Sequence, residues 1–148
     1  MSMFNKIVVP LDGSDYAERA LEIAIELAGK YSASLVIAHV VPSASALVTG
    51  PEVSSAPILL NLSDELEESG RRILEEGTKK AQAAGIPVTT VVEHGNISDN
   101  IVRIADAEKA DLIVIGERGL GSVARFFLGS VANKVSHHAK CPVLIVKL

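Results

Sequence analysis

Apolar positions along the chain fall into two alternating patterns. Short, largely apolar runs rich in Val and Ile recur at Lys6–Val9, Ser34–Val41, Asp111–Ile115 and Pro142–Lys147. Such runs predict strands buried on both faces of a parallel sheet. Between them lie longer segments whose apolar residues stand three or four apart, the spacing of a helix with one buried stripe. The first helix is predicted over Tyr16–Lys30, with Ala17, Leu21, Ala24, Ile25 and Ala28 inward, and with Ser14 or Asp15 as its cap. Asp15 and Glu18 have the spacing of a capping box. The second helix is predicted to start near Ser63 or Asp64 and run to Ala84, with Leu62, Leu66, Gly70, Ile73, Leu74, Gly77 and Ala81 on its buried face. Glycine weakens a helix, so Gly70 and Gly77 on that face predict close packing on the sheet. Gly85 and Pro87 then stop the helix.

Val88–Glu93 is more polar and partly alternating, as expected of an edge strand. His94-Gly95-Asn96 turns into a third helix with Ile97, Ile101, Ile104 and Ala105 inward. A fourth helix follows Gly129-Ser130, with Leu128, Val131, Val135 and Ala139 on its apolar side. Strands and helices therefore alternate from end to end. This predicts one α/β domain over residues 1–148: a doubly wound, Rossmann-like, five-stranded parallel sheet in the order 3-2-1-4-5, with helices on both faces. Strands one and four are then neighbours at the point where the winding reverses, and ligands of such sheets sit there, beyond the carboxyl ends of the strands.

Chemistry-bearing residues stand at both of those strand ends. Strand one runs into Pro10-Leu11-Asp12-Gly13-Ser14. Asp12 is either a turn or capping residue or a carboxylate facing a ligand. Strand four runs into Gly116, Gly119 and Gly121, and then Gly129-Ser130 opens a helix, giving the spacing Gly-x2-Gly-x9-Gly-Ser. Glycines let backbone approach a ligand closely. A helix amino end offers unpaired N–H groups and about half a positive charge. Together these suit a phosphate, to which Ser130 adds a hydroxyl unless it serves only as a helix cap. The P-loop is absent, because no Gly-Lys-Ser or Gly-Lys-Thr occurs. Gly119-x-Gly121-x-x-Ala124 matches the dinucleotide fingerprint in letters, but the fingerprint's distal acid is missing at Ala139–Val143 and the loop follows the wrong strand.

The spacing Gly116, Gly119, Gly129, Ser130, followed by Val131, resembles the ATP-binding branch of the universal stress protein family. The flanking Asp111–Gly116 and Cys141–Val146, and Pro10-x-Asp12-x-Ser14, are similar to that family too, so the resemblance covers the whole chain. It implies that Gly116, Gly119, Gly129, Ser130 and Val131 hold phosphates. It also implies that Val40 and Val41 meet adenine with backbone groups, and that Asp12 serves the ribose or a Mg2+ or Mn2+ ion. Pro10, Leu11 and Arg118 complete the candidate cofactor-binding set. The implied protein is a homodimer joined through strand five, a regulatory stress-response module with little or no ATP turnover. An adenylate-forming or slowly ATP-hydrolysing enzyme is the alternative. The loop Pro10–Asp15 has only a superficial likeness to that of adenylate-forming pyrophosphatases, lacking its first serine and glycine pair.

Composition narrows the partners. The chain is 148 residues long, enough to bury roughly 68–70% of its unfolded surface. A net charge of −4 and 3% aromatic residues, with no Trp, argue against nucleic acid. No apolar run reaches the length of a membrane span, and the amino terminus lacks a signal-peptide core, so a cytoplasmic location without membrane contact is expected. One cysteine, Cys141, excludes an internal disulfide and reads as a small buried residue. His137 and His138 point about 100° apart on a helix, and His39 and His94 lie near strand ends, so no histidine metal site is expected. Arg125 either closes over phosphates or is a solvated charge. The segment Ser43–Ala56 is either a flap over the ligand or a disordered insertion.

Overall fold

The apolar runs and the more polar Val88–His94 form strands, and the periodic segments form helices. In chain order these are β1 (Lys6–Pro10), α1 (Asp15–Tyr31), β2 (Ser34–Val41), α2 (Ala44–Leu47), α3 (Ala56–Ala83), β3 (Val88–His94), α4 (Ile97–Ala107), β4 (Leu112–Gly116), α5 (Ser130–His138) and β5 (Val143–Val146). The structure is a computed structural model, and it describes residues 2–47, 56–119 and 129–148. The five strands make one sheet, all parallel, in the expected order β3-β2-β1-β4-β5.

Alternation along the strands divides the core in two. Ile7, Val9, Leu35, Ile37, Leu112 and Val114 face α1 and α3, packing on Ala20, Leu21, Ala24 and Leu74. Val8, Val36, Ala38, Ile113 and Ile115 face α4 and α5, packing on Ile101, Ile104, Ala132 and Val135. Both faces of β1, β2 and β4 are thus buried, which is why these strands read as continuous apolar runs. Successive crossovers on opposite faces leave a crevice where β1 and β4 part.

Several local expectations are corrected. α1 is capped by Ser14, whose hydroxyl accepts the Ala17 N–H at 3.1 Å. The capping box of Asp15 and Glu18 therefore does not form, and Glu18 pairs with Lys80 of α3 instead. α3 begins at Ala56, not near Ser63. Pro57 falls in its first turn, where a missing N–H costs nothing, so the capping chemistry of Ser63 and Asp64 lies inside the helix. Ile97, expected inward, is 36% exposed in the first turn of α4. Ser98 and Asn100 are buried there instead, and the Asn100 amide donates to His94 O and Asn96 O. On α5, Ala132 joins Val135 as buried, while Val131 and Ala139 pack at the margin. Leu128 lies outside the described residues, as does most of the proposed flap, residues 48–55.

Candidate functional site

The turn after β1 is built around Asp12. Its Oδ1 accepts the Ser14 N–H at 2.9 Å, closing a tight turn, and Gly13 takes φ +86° within it. Ser14 then caps α1. The turn reading of Asp12 is thus correct for one carboxylate oxygen. The other oxygen faces the loop after β4: a Cβ at Gly119 would sit 2.5 Å from Asp12 Oδ2. Strand ends one and four, singled out separately in the sequence, meet at this contact.

The three cleft glycines share a cause, and it is not backbone twist. The described glycines with positive φ are Gly13, Gly85 and Gly95. Gly116 lets the first turn of α1 lie on β4, since a Cβ there would be 2.7 Å from Tyr16 Cβ and 2.9 Å from its backbone carbon. A Cβ at Gly129 would be 2.8 Å from Glu117 O and 3.2 Å from Arg118 Cα. Gly129 also donates its N–H to Glu117 O at 3.0 Å, and Glu117 donates to Val146 O at 2.8 Å. These bonds dock the start of α5 against the end of β4.

Gly129 is the residue that caps α5, with no side-chain hydrogen bond to the helix. Ser130 is the first helical residue and is exposed. The first intrahelical bond runs from Asn133 N–H to Gly129 O at 2.9 Å. The N–H groups of Ser130, Val131 and Ala132 are therefore the orphan donors of the first turn. Arg118, whose Cα would lie 3.2 Å from a Cβ at Gly129, is only 7% exposed, and among the described residues its Nη2 has no hydrogen-bond partner. A buried guanidinium nitrogen without an acceptor is costly, so Nη2 suits an anionic partner. Gly121, Ala124 and Arg125 lie outside the described residues.

The end of β2 supplies the third side. Val40 and Val41 are both buried. Val41 O accepts the Gly95 N–H at 3.0 Å, on the β3 side. Alternate residues of a parallel strand turn their backbone groups to opposite neighbours, so Val40 presents its N–H and C=O toward β1. The β1–β2 register ends at Pro10↔Ala38, with one further bond from Leu11 N–H to Ala38 O at 2.8 Å. Of the two valines, Val40 is thus the one with backbone groups aimed past the end of β1.

The model of the universal stress protein family matches residues 3–147. The chain belongs to that family. It is 36% identical over 148 residues to universal stress protein YxiE of Bacillus subtilis, covering 98% of this chain and 100% of that one. A solved universal stress protein in complex with cAMP superposes with a TM-score of 0.72 at 32% identity, covering 98% of each chain. The universal stress protein from Archaeoglobus fulgidus in complex with dAMP gives a TM-score of 0.67 at 27% identity, covering 98% of this chain and 99% of that one.

Outside the cleft this universal stress protein offers less chemistry. A groove of about 830 Å3 runs between α3 and β3, lined by Val41, Gly70, Leu74, Thr90 and Val92. On its rim Arg71 pairs with Glu68, and Glu67 meets the His94 ring, and no described residue of the strand-four loop lines it. Among the described residues no three of His, Cys, Asp and Glu gather as a metal site, and no helix is long and apolar enough to cross a membrane. Burial raises the Cys141 thiol pKa, with a smaller push from Asp111, against a lowering backbone hydrogen bond. Such a thiol is mostly protonated at neutral pH and slow to react.

Proposed function

We propose that this chain binds ATP at the carboxyl ends of β1 and β4 and works as a homodimeric regulatory module, in the cytoplasm, with little or no turnover. The observation that carries this reading is the meeting of Asp12 with Gly119, beside an α5 amino end that has no side-chain cap. Backbone N–H groups of Ser130 and Val131, the Ser130 hydroxyl and the Arg118 guanidinium receive the phosphates. Gly116, Gly119 and Gly129 keep that loop close. Val40 presents a backbone donor and acceptor to the adenine edge, with Val41 behind it held to Gly95. Pro10, Leu11 and Asp12 form the ribose and metal side. Asp12 gives a Mg2+ or Mn2+ ion one protein ligand, and the phosphates supply others. The cAMP and dAMP bound by solved family members support an adenine nucleotide as the ligand class.

The homodimer rests on β5. Among the described residues this edge strand has one neighbour, β4; it carries the exposed Leu144, and the exposed Leu148 follows just beyond it. An apolar edge with unpaired backbone groups is an association surface.

Thermal unfolding with ATP and Mg2+ tests the nucleotide reading. At a hundredfold excess over the dissociation constant, mass action adds about 2.7 kcal/mol of stability. A melting temperature indifferent to millimolar ATP with Mg2+ and with Mn2+ overturns it. Product analysis in the same samples separates the regulatory reading from an enzyme: AMP with pyrophosphate marks adenylate formation, and ADP with phosphate marks hydrolysis.

A further inference from the structure

His39 lies on β2 opposite Leu11, one step past the last β1–β2 pair, Pro10↔Ala38. Leu11 N–H still bonds Ala38 O at 2.8 Å. In a continuing parallel ladder the next bond would run from Val40 N–H to Leu11 O. Instead Leu11 O is taken by the His39 ring, with Nδ1 at 2.7 Å. A carbonyl only accepts, so Nδ1 carries the proton. His39 is 8% exposed, and its ring is held from behind by α3: a Cβ at Gly70 would sit 2.6 Å from His39 Cδ2 and 2.9 Å from Nε2. Two helical turns on, a Cβ at Gly77 would be 2.8 Å from Leu11 Cδ1. Both glycines of α3 thus make room for the pair His39 and Leu11.

We infer that His39 is a positioning residue of the nucleotide site, which acts by ending the β1–β2 ladder with a side chain. By satisfying Leu11 O it leaves the Val40 N–H and C=O to a ligand, and it fixes the residue that leads directly into Asp12. One bond thereby sets two sides of the cleft, the adenine side and the ribose and metal side. This inference rests on the reading of the cleft as an adenine-nucleotide site.

The test compares wild type with His39→Leu, His39→Asn and Gly70→Ala. Asparagine places an amide N–H where Nδ1 stands, whereas leucine leaves Leu11 O to the Val40 N–H. The Gly70→Ala methyl pushes the ring off its partner from outside the cleft. Titration calorimetry with adenosine and with Mg-ATP is run beside amide hydrogen exchange on the ligand-free proteins. Expected are about tenfold weaker binding of both ligands in His39→Leu and Gly70→Ala, with slower exchange at the Val40 amide, and binding within about threefold of wild type in His39→Asn. Wild-type affinity and unchanged Val40 exchange in a folded His39→Leu overturn the inference, and so does equal loss in His39→Asn and His39→Leu. If wild type binds neither ligand, the nucleotide reading falls, and the Val40 exchange still decides whether His39 ends the ladder.

Discussion

Adding one methyl group at Gly119 tests the centre of the proposed site. The methyl carbon of Gly119→Ala would lie 2.5 Å from Asp12 Oδ2, whereas ordinary contact starts at 3.4 Å. The carboxylate must therefore retreat by the difference, 0.9 Å. Both oxygens belong to one planar group, so the retreat also disturbs Oδ1, which holds the Ser14 N–H at 2.9 Å. Losing that turn bond costs about 0.5–1.5 kcal/mol. Replacing glycine by alanine where φ is not positive returns about 0.4–1 kcal/mol through the unfolded chain. Net stability should thus change by less than about 1 kcal/mol. Ligand binding has no such offset. Displacing a carboxylate from a metal or ribose hydroxyl removes a charge-assisted interaction of about 1.5–3 kcal/mol, a weakening of roughly 10- to 150-fold. Valine at the same place should abolish measurable binding. Calorimetric titration with Mg-ATP, beside thermal unfolding followed by circular dichroism, reads both quantities. Undiminished ATP affinity in a folded Gly119→Ala protein would show that this loop is not the phosphate cradle, and the proposed function would fall with it.

Gly129→Val should differ from Gly119→Ala, because its Cβ meets Glu117 O at 2.8 Å and Arg118 Cα at 3.2 Å, backbone that cannot swing aside. Binding should be lost together with about 1–3 kcal/mol of stability, and a melting temperature equal to wild type refutes this. Ser130 is exposed and Gly129, not Ser130, caps the helix, so Ser130→Ala should leave stability within about 0.5 kcal/mol while weakening ATP by about 1.5–3 kcal/mol. Leu144→Lys on β5 should convert dimer to monomer at micromolar concentration by light scattering, and an unchanged dimer mass removes β5 from the interface. The raised Cys141 pKa keeps the thiolate scarce. Alkylation at pH 7.5 should therefore be slower than that of a free thiol and rise as pH climbs toward the raised pKa; a rate matching a free thiol contradicts the burial argument.

Strand order was legible because β1, β2 and β4 are buried on both faces and are apolar almost throughout, His39 near the end of β2 being the exception. The positions of Gly70 and Gly77 were legible for a related reason: glycine on a helix's buried stripe has few uses besides close contact. What sequence could not distinguish was why a loop glycine is there. Gly119 and Gly129 could have supplied positive φ, yet neither does. Their need comes from Asp12 and from Glu117, and only the fold brings these near. The start of α3 was misplaced because Ser63 and Asp64 have capping chemistry that an earlier start at Ala56 leaves unused. Val40 and Val41 are chemically equivalent in the sequence. The Gly95 N–H bond to Val41 O separates them, and it depends on pairing with a strand some fifty residues away.

On the proposed reading, the charges of the cleft explain why the nucleotide should arrive with a metal. The α5 amino end carries about half a positive charge, and Arg118 adds a whole one from a position where water cannot solvate Nη2. Both attract phosphate. Asp12 opposes them, with one oxygen turned toward the same glycine loop. A divalent cation between Asp12 and the phosphates turns that opposition into attraction. The same carboxylate then serves twice, its Oδ1 shaping the turn into α1 and its Oδ2 facing the loop that the phosphates would share. A neutral asparagine at position 12 could keep the turn, but it would hold the metal far more weakly.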